Sequence, residues 1–269
     1  MSERRRRRLA DLPYWLLAIV LLGLVTAWAL VANQGYAQIF RALASGVATT
    51  LWVTLVAFFL ATCLGLGVAL LRTSRIVVFV QLATFYTELI RGIPILVFLF
   101  YVAFVGAPAT IVALNWLTAP VQSLGWMPAL TVRNFDLTWR AIIALTVCYA
   151  AFLSEVLRAG IEAVPDGQLE AARALGLSRG HIFRHIVAPQ AFRIILPPLG
   201  NDFVSMIKDS ALVSALGVQD ITQLGKVYSS GTFKFFETYN VVAFLYLTMT
   251  ITLSLAVRWV EHRLRVERA

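Results

Sequence analysis

Apolar residues in this chain gather into six runs, at about 13–32, 46–71, within 76–106, 140–157, 194–216 and 240–260, divided by polar stretches. The hydrocarbon core of a bilayer is ~30 Å thick and takes roughly 20 helical residues to cross. In lipid the backbone polar groups must bond within their own segment, so each run predicts a transmembrane helix. The third region is longer than one span and is broken in TELIRGIPILVFLF at Gly92 and Pro94. Proline lacks an amide donor and collides with the turn before it. The pattern therefore predicts an interfacial or buried segment to about Ala83, then a span bent near Gly92–Pro94. The half-apolar outer segment 107–139, with prolines at 108, 120 and 128, predicts one or two short interfacial helices. Its Trp116, Trp126 and Trp139 suit the headgroup level. The fold class is an all-α integral membrane protein of about six transmembrane helices.

Charge sharpens this picture. The 269 residues are 59% hydrophobic and only 14% charged, with a net charge of +9. Sixteen cations fall on one side of the spans: Arg4–Arg8, Arg72, Arg75, Arg158, Arg173, Arg179, Arg184, Arg193, Arg258, Arg263, Arg265 and Arg268. Five fall on the other: Arg41, Arg133, Arg140, Lys226 and Lys234. Lys and Arg favour the cytoplasmic side, so both termini, including the basic stretch 1–12, are expected there. This distribution excludes a nucleic-acid-binding reading and leaves membrane lipid as the surrounding partner. The first apolar run is too long for a signal peptide's core, so 13–32 reads as an uncleaved anchor. Cys63 and Cys148 both lie in apolar runs and read as small buried hydrophobes.

One segment, 164–189, is charged and Ala-rich between two spans. Pro165 and Asp166 suit a helix N-terminus. QLEAARAL is a strong helix former with small side chains, Ala171, Ala172 and Ala174, that let another surface approach. Gly176 is a C-cap and Ser178 an N-cap for a second short helix. Ile182, Phe183, Ile186 and Val187 give that helix an apolar face, and Pro189 is expected to stop it. On these grounds alone the segment is either a helical loop on the membrane surface or a docking loop. His181 and His185 have metal-pair spacing, but no third ligand is evident, so no metal site is expected.

Several ionisable groups lie at membrane depth, where each costs ~2.5–3.5 kcal/mol if lipid-facing. Asn201, Ser205 and Lys208 share a helix face, and Asp202 and Asp209 share the adjacent one. They form either an inter-helix polar network or a path for a zwitterion, with Lys208 for a carboxylate and Asp202 or Asp209 for an ammonium. Glu88 and Arg91 predict a structural ion pair at the inner mouth beside the bend or a direct substrate contact, and Glu155, near the inner end of its span, predicts a partner in Arg158; all three are candidates along the substrate path. No catalytic residue is expected: there is no H-E-x-x-H, and no histidine in a span to pair with a serine.

The segment EAARALGLSRGHIFRHIVAP resembles the EAA loop of ABC-importer permeases, E-A-A, three residues, G, nine residues, I-x-L-P. Glu170, Ala171, Ala172, Gly176, Ile186 and Pro189 match; Ala188 stands where the family usually has leucine. TELIRGIPILVFLFY, LPPLGNDFVSMIKDSALVSALGVQDIT and the closing RWVEHRL are similar to the polar amino acid permease subfamily (histidine, glutamine, glutamate, arginine). The similarity runs from about 46 to 265. It implies a five-helix type I importer core within 46–262, preceded by an extra N-terminal helix. It also implies that 164–189 couples to a separate ATP-binding subunit. Two such subunits would hold ATP and Mg2+, so the chain would carry no cofactor. A second permease subunit, the same or similar, and a periplasmic or lipid-anchored solute-binding protein would complete an importer in a bacterial cytoplasmic (inner) membrane. The alternatives are a permease for another solute and a stand-alone secondary transporter or channel.

Overall fold

The computed structural model describes residues 14–266. The expected basic stretch 1–12, Pro13 at the start of the first run, and Arg268 lie outside the described residues. Among those described there are helices and turns but no strand. In chain order they are α1 (Tyr14–Ala32), α2 (Gln34–Arg72), α3 (Val77–Arg91), α4 (Ile95–Ser123) and α5 (Leu137–Glu162). Then follow α6 (Asp166–Ala174), α7 (Arg179–Ile182), α8 (Ala188–Asp209), α9 (Ile221–Thr232) and α10 (Phe235–Val266).

Helix α5 is the central mast. In its most apolar 18-residue window 72% of residues are buried, against 39% in α2 and 22% in α10. Its Ile142, Leu145 and Leu153 pack with Val53, Ala57 and Ala61 of α2 and Met206 of α8. Small residues bring backbones close, as membrane helix packing requires. At Gly160 of α5 a Cβ would lie 2.1 Å from Ile195 Cγ1 of α8. Overpacking a tight contact costs about 1–3 kcal/mol, so Gly160→Leu should lower the melting temperature in detergent. An unchanged melting curve would show that α8 can shift aside.

Among the described residues four helices, α2, α4, α5 and α10, are long and apolar enough by themselves to cross a membrane. α8 does not meet that description because it carries Arg193, Asp202, Lys208 and Asp209; it needs protein or water around its polar face. Two boundaries differ from expectation. α2 starts at Gln34, capped by the Asn33 side chain on the Gly35 amide at 2.8 Å. Its 39 residues span about 58 Å, so its first turns project beyond the hydrocarbon. The third region is also not one bent span. α3 continues past Ala83 to Arg91, and the chain turns at Gly92–Pro94. α4 then runs straight through 107–123, where short interfacial helices were expected.

The reason α4 passes Pro108 is a π turn over Val102–Gly106, closed by the Ala107 amide on Val102 O. A proline ring in a regular helix strikes the carbonyl four residues back. The wider π turn relieves that clash. The same device recurs at Phe183–Val187, immediately before Ala188–Pro189. Pro189 therefore does not stop a helix; α7 passes through the turn into α8.

The rest of the outer segment folds back on α4. Asn115 holds Leu130 by both backbone groups, Nδ2 to O and Oδ1 from N, each at 2.8 Å. Arg140, buried at the start of α5, donates to Phe135 O at 2.8 Å, Val132 O at 2.5 Å and Ala103 O at 3.2 Å. Asp136 caps α5. The Thr138 hydroxyl and amide hold its carboxyl below the usual range. Trp116, Trp126 and Trp139 are exposed here.

Candidate functional site

Three groups of residues carry the chemistry. The first is the segment after α5. Pro165 precedes α6, and Asp166 sits in its first turn. The helix closes in a Schellman motif. Gly176 has φ +75°, its amide donates to Arg173 O at 2.9 Å, and the Leu177 amide donates to Ala172 O at 3.1 Å. Ser178 then caps α7 by accepting from the His181 amide. Its Oγ also lies 2.9 Å from His181 Nδ1, and the His181 and His185 rings stack at 5.8 Å. Gln190 of α8 ties the segment back, donating to Gln168 Oε1 at 2.6 Å.

The small residues do not all face outward. Ala172 is 3% exposed and packs with Val164, Ile182 and Val187. Its methyl closes the angle between the two short helices. The open face is Glu170, Ala171, Ala174 and Leu175, the last 81% exposed. Ile186 is half-buried and Pro189 exposed.

The second group lies on α8. Asn201 and Lys208 are exposed, whereas Asp202, Ser205 and Asp209 are half-buried. The Tyr149 hydroxyl of α5 donates to Asp209 Oδ2 at 2.6 Å. One acid is thus fixed against the mast while Lys208, its neighbour in sequence, is open. Tyr149 escaped the sequence reading because it stands in an otherwise apolar run 60 positions from its partner.

The third group centres on Glu155. Arg158 reaches Oε2 through Nη2 at 2.8 Å and Nε at 3.2 Å, as its spacing predicts. Arg72, the last residue of α2, donates to Oε1. Arg91, the last residue of α3, brings Nη1 to 3.6 Å from the same oxygen and lies over the Phe152 ring at 5.6 Å. Arg158 also bonds Glu162 at 2.7 Å. The expected Glu88–Arg91 pair is absent among the described residues. Glu88 is exposed, and Arg91 turns instead to a carboxylate in a less aqueous setting, where attraction is stronger. Nothing in the local sequence marked Arg72, which reads as one more inner cation.

The family profile described as "Binding-protein-dependent transport system inner membrane component" matches residues 61–266. The "Probable amino-acid permease protein YxeN" of Bacillus subtilis (strain 168) is 36% identical over 216 residues, 80% of this chain and 88% of that one. The "Glutamine transport system permease protein GlnP" of Escherichia coli (strain K12) is 30% identical over 83% of this chain and 93% of that one. A crystal structure of an amino acid ABC transporter with histidines has a chain with TM-score 0.69 and 34% identity, covering 87% of this chain and 97% of that one. The chain of the inward-facing MetNI methionine ABC transporter shares the fold, with TM-score 0.65 at 22% identity over 83% of this chain and 96% of that one. With the profile covering most of the sequence and the loop and helices in place, the chain belongs to the binding-protein-dependent transport system inner membrane component family, as a permease subunit of an ATP-binding-cassette importer.

Proposed function

We propose that this permease carries a polar amino acid inward. The observation that carries the reading is the polar face of α8, where Lys208 stands open beside Asp209 held by Tyr149. A zwitterion needs one cation and one anion at membrane depth. Lys208 meets the carboxylate, and Asp202 or Asp209 the ammonium; Asn201 and Ser205 add neutral hydrogen bonds. The relatives named for amino-acid and glutamine transport support the same class.

ATP-binding and solute-binding partners follow from the family. In the arrangement we favour, two permease subunits, identical or similar, face each other across the path. Two ATP-binding subunits hold ATP and Mg2+ and dock at 164–189 through Glu170, Ala171, Ala174 and Leu175. A periplasmic or lipid-anchored binding protein delivers substrate from outside. The family and its apolar helices make this a multi-pass inner-membrane protein; the Arg bias supports cytoplasmic termini. Closure of the ATPase pair moves the docked loops, and rigid-body rocking of the helices alternates access.

Reconstitution into liposomes tests this. Uptake of labelled glutamine, histidine or arginine is expected only with the ATP-binding subunit, binding protein and ATP together. Lys208→Ala should raise the substrate concentration needed for half-maximal uptake by about tenfold, one charge-assisted contact of 1.5 kcal/mol. Uptake by the chain alone on an ion gradient would instead establish a secondary transporter. Transport only of a non-amino-acid solute would overturn the substrate class.

A further inference from the structure

The Glu155 cluster contains more positive charge than it can neutralise. Arg72, Arg91 and Arg158 come from the ends of α2 and α3 and from α5, while the acids are Glu155 and Glu162. Both Glu155 oxygens are already occupied, Oε1 by Arg72 and Oε2 by two nitrogens of Arg158. Arg91 is left over. It is 42% exposed, ion-paired with Oε1 at 3.6 Å but beyond hydrogen-bonding distance, and its Cζ lies 5.6 Å from the Phe152 ring centroid. Among the described residues its guanidinium makes no hydrogen bond, so its donors are open to a further acceptor. Arg75 stands exposed in the short turn between α2 and α3. On the same two helices, Leu71 of α2 and Phe85 and Leu89 of α3 expose apolar side chains.

We propose that Arg91, backed by Arg72 and Arg158, binds the phosphodiester headgroup of an anionic phospholipid of the inner leaflet. The chemistry fits in three ways. A planar guanidinium offers paired donors that match two phosphate oxygens. The surplus charge favours an anionic over a zwitterionic lipid, and basic pockets between spans on the cytoplasmic side hold such headgroups. The exposed apolar side chains of α2 and α3 provide a surface for the acyl chains. A free phosphate has the same oxygen geometry but gains nothing from that apolar surface. The inference rests on the proposed orientation, which puts the ends of α2 and α3 at the cytoplasmic face.

The test uses the whole importer complex in nanodiscs of phosphatidylcholine mixed with phosphatidylglycerol. Lipid retained after release is measured by native mass spectrometry. Wild type should keep phosphatidylglycerol preferentially. Arg91→Ala should lose roughly fivefold of that preference, one basic residue's share at an anionic surface, and Arg91→Lys should keep an intermediate part. Equal retention of both lipids by wild type, or an unchanged preference in Arg91→Ala, overturns the site. Displacement of the lipid by inorganic phosphate overturns the lipid assignment and makes the occupant a soluble anion. A separate arm tests the orientation. Arg75→Cys, in a chain whose Cys63 and Cys148 are replaced by alanine, is treated with an impermeant maleimide in vesicles of each sidedness. Labelling from the cytoplasmic side with no lipid preference rejects the lipid site alone; labelling from the outside rejects the orientation.

Discussion

Replacing Gly176 with valine is expected to cut ATP-driven uptake roughly tenfold while the chain still inserts and accumulates. Gly176 lies at φ +75° and its amide closes the end of α6. A side chain there meets no neighbouring atom within 4 Å, so crowding is not the obstacle; backbone conformation is. A left-handed conformation costs an ordinary residue about 1–2 kcal/mol, and that much moves a conformational equilibrium by about tenfold. The loss would fall on the angle between α6 and α7, and hence on where Glu170 and Leu175 point. Asparagine tolerates this conformation, so Gly176→Asn should retain most uptake. Co-purification of the ATP-binding subunit, measured alongside uptake, separates lost docking from lost transmission. Should the valine and asparagine variants transport equally, the turn geometry has no part in coupling.

Glu155→Lys carries the other large effect. It removes the carboxylate shared by three arginines and places a fourth cation among them. Removing one partner of a buried pair costs about 3–5 kcal/mol. Partial exposure reduces this, and about 2–3 kcal/mol remains. The melting temperature in detergent should fall by several degrees, and the ends of α2 and α3 at Arg72 and Arg91 should become sensitive to protease. Glu155→Gln should fall between, because it keeps a hydrogen-bond acceptor without the charge. The exchange Arg72→Glu with Glu155→Arg should restore part of the loss. A lysine variant that melts with the wild type would mean that hydrophobic packing alone holds these ends together.

The helices were legible because lipid imposes one rule on every span: long apolar runs must be helical. The Gly176 turn and the Ser178 cap were legible because both are local, set by residues within four positions. What escaped depends on long-range geometry. Pro108 and Pro189 read as stops because a proline is incompatible with a regular helix, yet one widened turn before each lets the rod continue. Ala172 read as open because α6 alone does not reveal which side meets Val164 and Val187. Arg72 is 83 positions from Glu155, and Tyr149 was hidden within an apolar run. Glu88 and Arg91 sit three apart, which permits a pair; a better-placed carboxylate on another helix took the arginine.

The uninterrupted passage from α7 into α8 has a mechanical consequence. A severed chain at Pro189 would act as a slack tether, and thrust from a docked partner would dissipate in the joint. In the proposed docking, a single column instead conveys displacement lengthwise, like a pushrod, from His181 toward Lys208. The widened turn supplies a place to flex without parting, so on that proposal stroke at one end and aperture at the other are geared by one strut.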